Sequence, residues 1–169
     1  MKKLSAVLLF AAVLLSGVAE AKTPGTVIVV RHAEAGTDDP KDPSLSEAGT
    51  ARAAALQALA QNAGVKAVYV TQFRRTRDTA APLAAALKIP VIVFDVDGAS
   101  LASFGPALAK RIAEEHPNET VLVVGHSNTV PLIVKELAGI DVPKIEHSEY
   151  SRVYVIRDGH VIAAQYGAR

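Results

Sequence analysis

Apolar and polar positions along the 169-residue chain alternate between two patterns. Short continuous β-branched runs, TVIVV at 26–30 and TVLVV at 120–124, read as strands buried on both faces. Residues 67–70, 91–94, 152–156 and 161–165 supply further strand-like runs. Between them lie segments of helical period. After Ser46, an N-cap, Leu56, Leu59, Ala60 and Ala63 recur at helical spacing until Gly64. Residues 75–87 are Ala-rich, with Pro82 a local disturbance, and 100–115 form a third helix whose regular start Gly105-Pro106 can delay. Residues 131–138 form a fourth, closed by Gly139. Asp158-Gly159 between the last two runs signals a hairpin. Strands and helices in alternation predict an α/β three-layer sandwich, a mainly parallel central sheet flanked by helices, with the hairpin adding antiparallel edge strands.

The first residues break this rhythm. Lys2 and Lys3 precede an apolar stretch at 4–15, and Ala19-Glu20-Ala21 follows. That is the order of a secretory signal peptide cut after Ala21, so residues 1–21 are expected to be removed and 22–169 to form one domain. The apolar stretch is short for a membrane span. The expected location is exported, periplasmic or secreted. The net charge of +1 offers no field for nucleic acid or an anionic membrane surface. With no cysteine there is no disulfide, thiolate metal site or Cys nucleophile. The acidic cluster Asp38, Asp39 and Asp42 lacks the spacing of a calcium loop, and the histidines show no metal-ligand spacing, so neither metal nor cofactor is expected.

In open α/β sheets, ligands sit beyond the carboxyl ends of the strands. Four strands here end on chemistry: Arg31-His32-Ala33-Glu34, then Thr71 to Arg77, then Asp95-Val96-Asp97, then Gly125-His126-Ser127-Asn128. Guanidinium groups pair with phosphoryl oxygens, imidazole can attack phosphorus and leave again, and a carboxyl group can protonate a departing alkoxide. Gly125-His126-Ser127-Asn128-Thr129 is not a nucleophile elbow, because Thr129 stands where the closing glycine belongs. Ser127 therefore reads as a cap of the next helix or a hydrogen-bond donor.

With Leu45-Ser46-Glu47-Ala48-Gly49 and Arg75-Thr76-Arg77-Asp78-Thr79-Ala80, these motifs resemble the histidine phosphatase (phosphoglycerate mutase-like) superfamily, in its small, minimal-domain form. The resemblance implies a metal-independent phosphatase acting on a phosphorylated small molecule or phosphoprotein. It makes His32 the nucleophile, Arg31 and Arg75 phosphate ligands, and His126 the second histidine. Arg74 and Arg77 become neighbours of the site. Where members carry an Asn after the first motif, this chain has Ala35-Gly36-Thr37-Asp38, with Thr37 as the substitute. For the proton donor the available carboxylates are Asp95 and Asp97, of which Asp95 is preferred as the one directly at the strand end. A phosphomutase, a non-catalytic phospho-ligand binder and a serine hydrolase built on Ser127 are the competing readings.

Overall fold

The computed structural model describes residues 24–97 and 101–168. In chain order the elements are β1 (Thr26–Arg31), α1 (Glu47–Ala60), β2 (Val65–Val70), α2 (Arg74–Leu87), β3 (Val91–Val93), α3 (Leu101–Glu115), β4 (Thr120–Gly125), α4 (Thr129–Ala138), β5 (Arg152–Arg157) and β6 (His160–Gln165). The six strands form one sheet in the order β3-β2-β4-β1-β5-β6. The first four in that order run parallel, and β5 and β6 are antiparallel additions. Asp158 and Gly159 join the last two with φ of 49° and 74°, the left-handed pair that a tight two-residue hairpin requires. The α/β sandwich and its terminal hairpin are thus as the pattern predicts.

The strand runs are continuously apolar because both faces are covered. Val27, Val29, Val121 and Val123 point into a core with Leu108, Ile112 and Ile133 from α3 and α4. Ile28, Val30, Leu122 and Val124 point the other way, to Leu56, Ala60 and Leu83 of α1 and α2. In β2, Val65 packs on the α1/α2 side and Ala67 on the α3/α4 side, because a register irregularity between them turns the strand over. That irregularity lets β2 begin two residues before its predicted start. Leu59, on the predicted apolar face of α1, is 49% exposed and outside the core.

Prolines do less damage than expected. Pro82 lies within α2 and Pro106 within α3 without interrupting either helix. Pro131 sits in the first turn of α4, where a backbone N–H has no helical partner, so that helix starts at Thr129. Gly105 allows α3 to meet α4 closely, since a Cβ there would stand 2.9 Å from the Leu132 carbonyl oxygen.

The topology creates the site. From β1 the chain crosses by α1 toward β2 on one face, and from β4 it crosses by α4 toward β5 on the other. β1 and β4 are neighbours, so a crevice opens between their carboxyl ends. Ser46 caps α1, accepting from Gly49 N at 3.1 Å, while its own N donates to the Glu34 carbonyl at 2.9 Å. Gly49 lies against that carbonyl, and a Cβ there would overlap it. Gly49→Ala should therefore lower unfolding free energy by about 2 kcal/mol through overpacking of backbone on backbone. Denaturant melts compared with the neighbouring exposed Ala48→Gly control should show the larger loss at Gly49, with the denaturant slope unchanged.

Candidate active site

Arg31 and His32 lie at the end of β1, 4% and 7% exposed. The β1–β4 pairing continues one residue beyond the sheet, with His32 N donating to the Gly125 carbonyl at 2.9 Å. His126 follows Gly125 and is 7% exposed. The two imidazoles therefore meet edge to face, with ring centroids 5.3 Å apart. Arg75 comes from the first turn of α2, its guanidinium stacked 4.4 Å above Phe73, and Phe73 in turn packs edge-on against His126 at 5.3 Å.

All four side chains line one cavity of about 870 Å³. Thr37, Ser127, Asn128, Val96, His147 and Tyr150 complete much of its wall. The structure thus brings together His32, His126, Arg31, Arg75, Thr37 and Ser127. Ser127 does not cap α4, whose N-cap is Asn128; Thr129 Oγ1 instead accepts from His126 N at 2.8 Å and fixes the loop.

Asp95 is not brought to the cavity, which corrects the sequence expectation. β3 stops at Val93, and the chain beyond it alternates: Phe94 and Val96 turn toward the core beside α3, and Asp95 and Asp97 are exposed. Gln72 locks this phase, its side chain donating to Val96 O at 2.8 Å and accepting from Val96 N at 2.9 Å. Among the described residues, no Asp or Glu lines the cavity. Glu34, next to the nucleophile motif, is bound by Arg52 in a two-pronged ion pair of 2.7–3.0 Å. Arg52 also donates to Tyr166 O and Ala168 O, tying the C-terminal end to α1. Asp38 and Asp39 accept backbone N–H groups of their own loop, and Asp42 accepts from Arg74 N at the start of α2. Arg74 and Arg77 pair with Asp38, Asp78 and Asp42 outside the cavity lining.

Hydrogen bonds fix the tautomers. His32 Nδ1 is 2.7 Å from the Ala33 carbonyl oxygen, which can only accept, so Nδ1 carries the proton and Nε2 holds a free lone pair. Arg75 Nη2 can only donate, and it faces His126 Nδ1 at 3.5 Å, a long contact. His126 then carries its proton on Nε2 and donates to Thr71 Oγ1 at 2.9 Å. Thr71 passes to Thr76 Oγ1 at 3.1 Å, and Thr76 donates to the Phe73 carbonyl at 2.8 Å. Thr79 Oγ1 donates to Arg75 O at 2.7 Å and accepts from Ala33 N at 2.9 Å, which spaces the His32 loop against the Arg75 helix. These threonines are 0–1% exposed. All three lie inside the motifs that the sequence shows, yet residue type alone assigns them no role.

Electrostatics favour an anion. Burial, above all, lowers the His32 pKa to about 4, with Arg31 and Arg75 acting the same way against the Ala33 hydrogen bond. His126 falls to about 3 through burial and the fields of His32, Arg75 and Arg31. Arg31 Nη1 donates to the carbonyls of Glu146, His147 and Glu149 at 2.9–3.0 Å, and its Cζ lies 4.0 Å from the Tyr150 ring centroid. Its buried Nε has no hydrogen-bond partner among the described residues. An orphaned guanidinium donor is costly unless an acceptor arrives.

Both imidazoles should be neutral at pH 7, His32 as the Nδ1–H tautomer and His126 as the Nε2–H tautomer; ring nitrogen-15 shifts read this directly. Folded-state pKa values below the ordinary imidazole value mean that the unfolded chain binds protons first. Stability should therefore fall as pH drops from about 6.5 toward 4. A thermal midpoint that holds steady across that window would contradict the burial of both rings.

Residues 27–95 match the family model of the histidine phosphatase superfamily (branch 1). No curated protein matches the sequence significantly. Among solved structures, the chain is similar to the Agrobacterium tumefaciens protein assigned as phosphohistidine phosphatase SixA, with TM-score 0.63, 21% identity, and coverage of 86% of this chain and 99% of that one. A mycobacterial glucosyl-3-phosphoglycerate phosphatase gives TM-score 0.61 at 16% identity, covering 86% and 99%. A phosphoserine phosphatase of Entamoeba histolytica gives 0.61 at 13%, covering 85% and 97%. At these identities the likeness is one of fold. The matched segment carries the Arg31-His32 and Arg75 motifs, and beyond it the fold of the histidine phosphatases named here is shared over nearly all of each relative.

Proposed function

We propose that the protein is a metal-independent phosphatase that hydrolyses a phosphomonoester through a phosphohistidine at His32. The observation that carries this reading is the His32 imidazole itself: Nδ1 is held by the Ala33 carbonyl, so the Nε2 lone pair is available at neutral pH, in a cavity it shares with two guanidinium groups. Nε2 attacks phosphorus as the bond to the leaving oxygen breaks. Water then attacks the phosphohistidine, and the electrons of the N–P bond return to Nε2. Arg31 and Arg75 hold the non-bridging oxygens, and the Arg31 Nε finds the acceptor it lacks. A phosphoryl dianion beside His126 favours its protonated form, so that ring can donate to the transferring group from Nδ1. Thr37 and Ser127 offer hydroxyls at the wall. Fixed positive charge and positioning supply most of the acceleration, as the loose transition state of phosphoryl transfer demands.

Hydrolysis is preferred to mutase chemistry because the described residues hold no inserted helix or strand over the cavity and the fold neighbours named above are phosphatases. Those neighbours are named for phosphohistidine, glucosyl-3-phosphoglycerate and phosphoserine, and the substrate class proposed here is a phosphorylated small molecule or phosphoprotein. The signal peptide at 1–21 lies outside the described residues, and export to the periplasm or medium is part of this proposal. No described helix is long and apolar enough to cross a membrane.

The test is release of phosphate from an aryl phosphate by the chain starting at Lys22. His32→Ala should reduce turnover by at least about three orders of magnitude, the scale seen when a covalent nucleophile is removed. Chelators should leave the wild-type rate unchanged. Undiminished turnover by His32→Ala would overturn the proposal, and chelator sensitivity would overturn its metal-independent part.

A further inference from the structure

The cavity has two arginines and two histidines at its deep end and no carboxylate among its described lining residues. Arg31, His32 and His126 are buried, so the organic part of a substrate whose phosphoryl group they hold must project toward the mouth. One further imidazole stands there. His147 lines the same cavity and is exposed, on the turn between α4 and β5.

That turn is built to a fixed shape. Glu149 Oε2 accepts from Glu146 N at 2.7 Å, Glu149 N donates to Glu146 O at 3.0 Å, and Glu149 Oε1 pairs with Arg152 at 2.7 Å. Arg31 Nη1 then gathers the carbonyls of Glu146, His147 and Glu149. The same turn sets Tyr150 beside the nucleophile, its ring centroid 6.0 Å from that of His32. The arginine offered to the phosphoryl group thus also holds the main chain of His147. The carboxylates of this turn are engaged elsewhere, Glu149 with Arg152 and Glu146 with Lys144 at 3.4 Å.

Resting on the phosphatase reading, we propose that His147 is a further catalytic residue, the general acid and base for the leaving group and the attacking water. As His32 Nε2 bonds to phosphorus and the P–O bond breaks, the His147 imidazolium gives its proton to the departing alkoxide, releasing an alcohol. Neutral His147 then takes a proton from the water that attacks the phosphohistidine, and the products are phosphate and free His32. Imidazole suits both roles because its charge changes near neutrality. Around it stand Arg31, Arg75, His32 and His126 from the deep end, Tyr150 beside it, and Glu146, Glu149, Lys144 and Arg152 on or next to its own turn.

The experiment compares His147→Gln with wild type on an alkyl phosphate and on p-nitrophenyl phosphate, reading the first turnover so that only phosphorylation of the enzyme is seen. Nitrophenolate leaves without a proton, whereas an alkoxide does not. The variant should lose about 100-fold or more on the alkyl ester and less than about fivefold on the aryl ester. The fall in alkyl rate on the alkaline side of neutrality should also vanish in the variant. Equal losses on both substrates, or no loss on either, would overturn the role. His32→Ala serves as the control: if wild type forms no phosphoenzyme, the phosphatase reading fails, whereas a His32-dependent phosphoenzyme with equal effects at His147 sinks only the present inference.

Discussion

The hydrogen bond between His32 Nδ1 and the Ala33 carbonyl oxygen, 2.7 Å long and buried, sets what the rest of the site can do. It decides the tautomer, and the tautomer decides which nitrogen keeps a free lone pair. Everything around it serves to keep that short contact in place. The β1–β4 pairing delivers His32 to the crevice, Thr79 holds Ala33 N, and Ser46 with Gly49 brings the start of α1 against the Glu34 carbonyl. A ring held this way needs no rotation before reaction, which is how positioning becomes rate.

Burying two imidazoles and two guanidinium groups together works against stability, and the fold tolerates it by keeping the imidazoles neutral and giving the arginines acceptors. Arg31 spends one nitrogen on three carbonyls of the 146–149 turn, and Arg75 stacks on Phe73. What remains is a cluster of positive charge with an orphaned Nε. In the proposed function a phosphoryl group supplies that acceptor, so affinity for the anion would be the counterpart of a local stability defect. The Glu34–Arg52 pair stands apart from this cluster, anchoring α1 and the C-terminal end behind the nucleophile loop.

Much of this was legible in the sequence because the relevant signals are local. TVIVV and TVLVV announce doubly covered strands, Asp158-Gly159 a hairpin, and polar residues directly after buried strands a shared edge. Asp95 was misplaced because proximity to a strand end says nothing about side-chain phase. The alternation of Phe94, Asp95, Val96 and Asp97 carries that information, since the two apolar residues had to face the core. The roles of the buried threonines 71, 76, 79 and 129 do not show in the sequence, because a hydroxyl's role depends on which acceptor lies across the fold. His147 lies in a turn with no pattern of its own, and only the reach of Arg31 across 116 residues of sequence places that turn at the cavity. The early start of β2 turns on a register irregularity that no run of residue types encodes.

In the mechanism proposed for this site, one nitrogen of one side chain carries the phosphoryl group. The direct measurement is to quench the wild-type chain during turnover under alkaline conditions, where phosphohistidine survives, and to identify the modified residue and its isomer by mass spectrometry and phosphorus-31 resonance. Phosphate is expected on His32 at Nε2, because Nδ1 is held by the Ala33 carbonyl. Phosphate on Nδ1 of His32, on His126, or on any hydroxyl would contradict it.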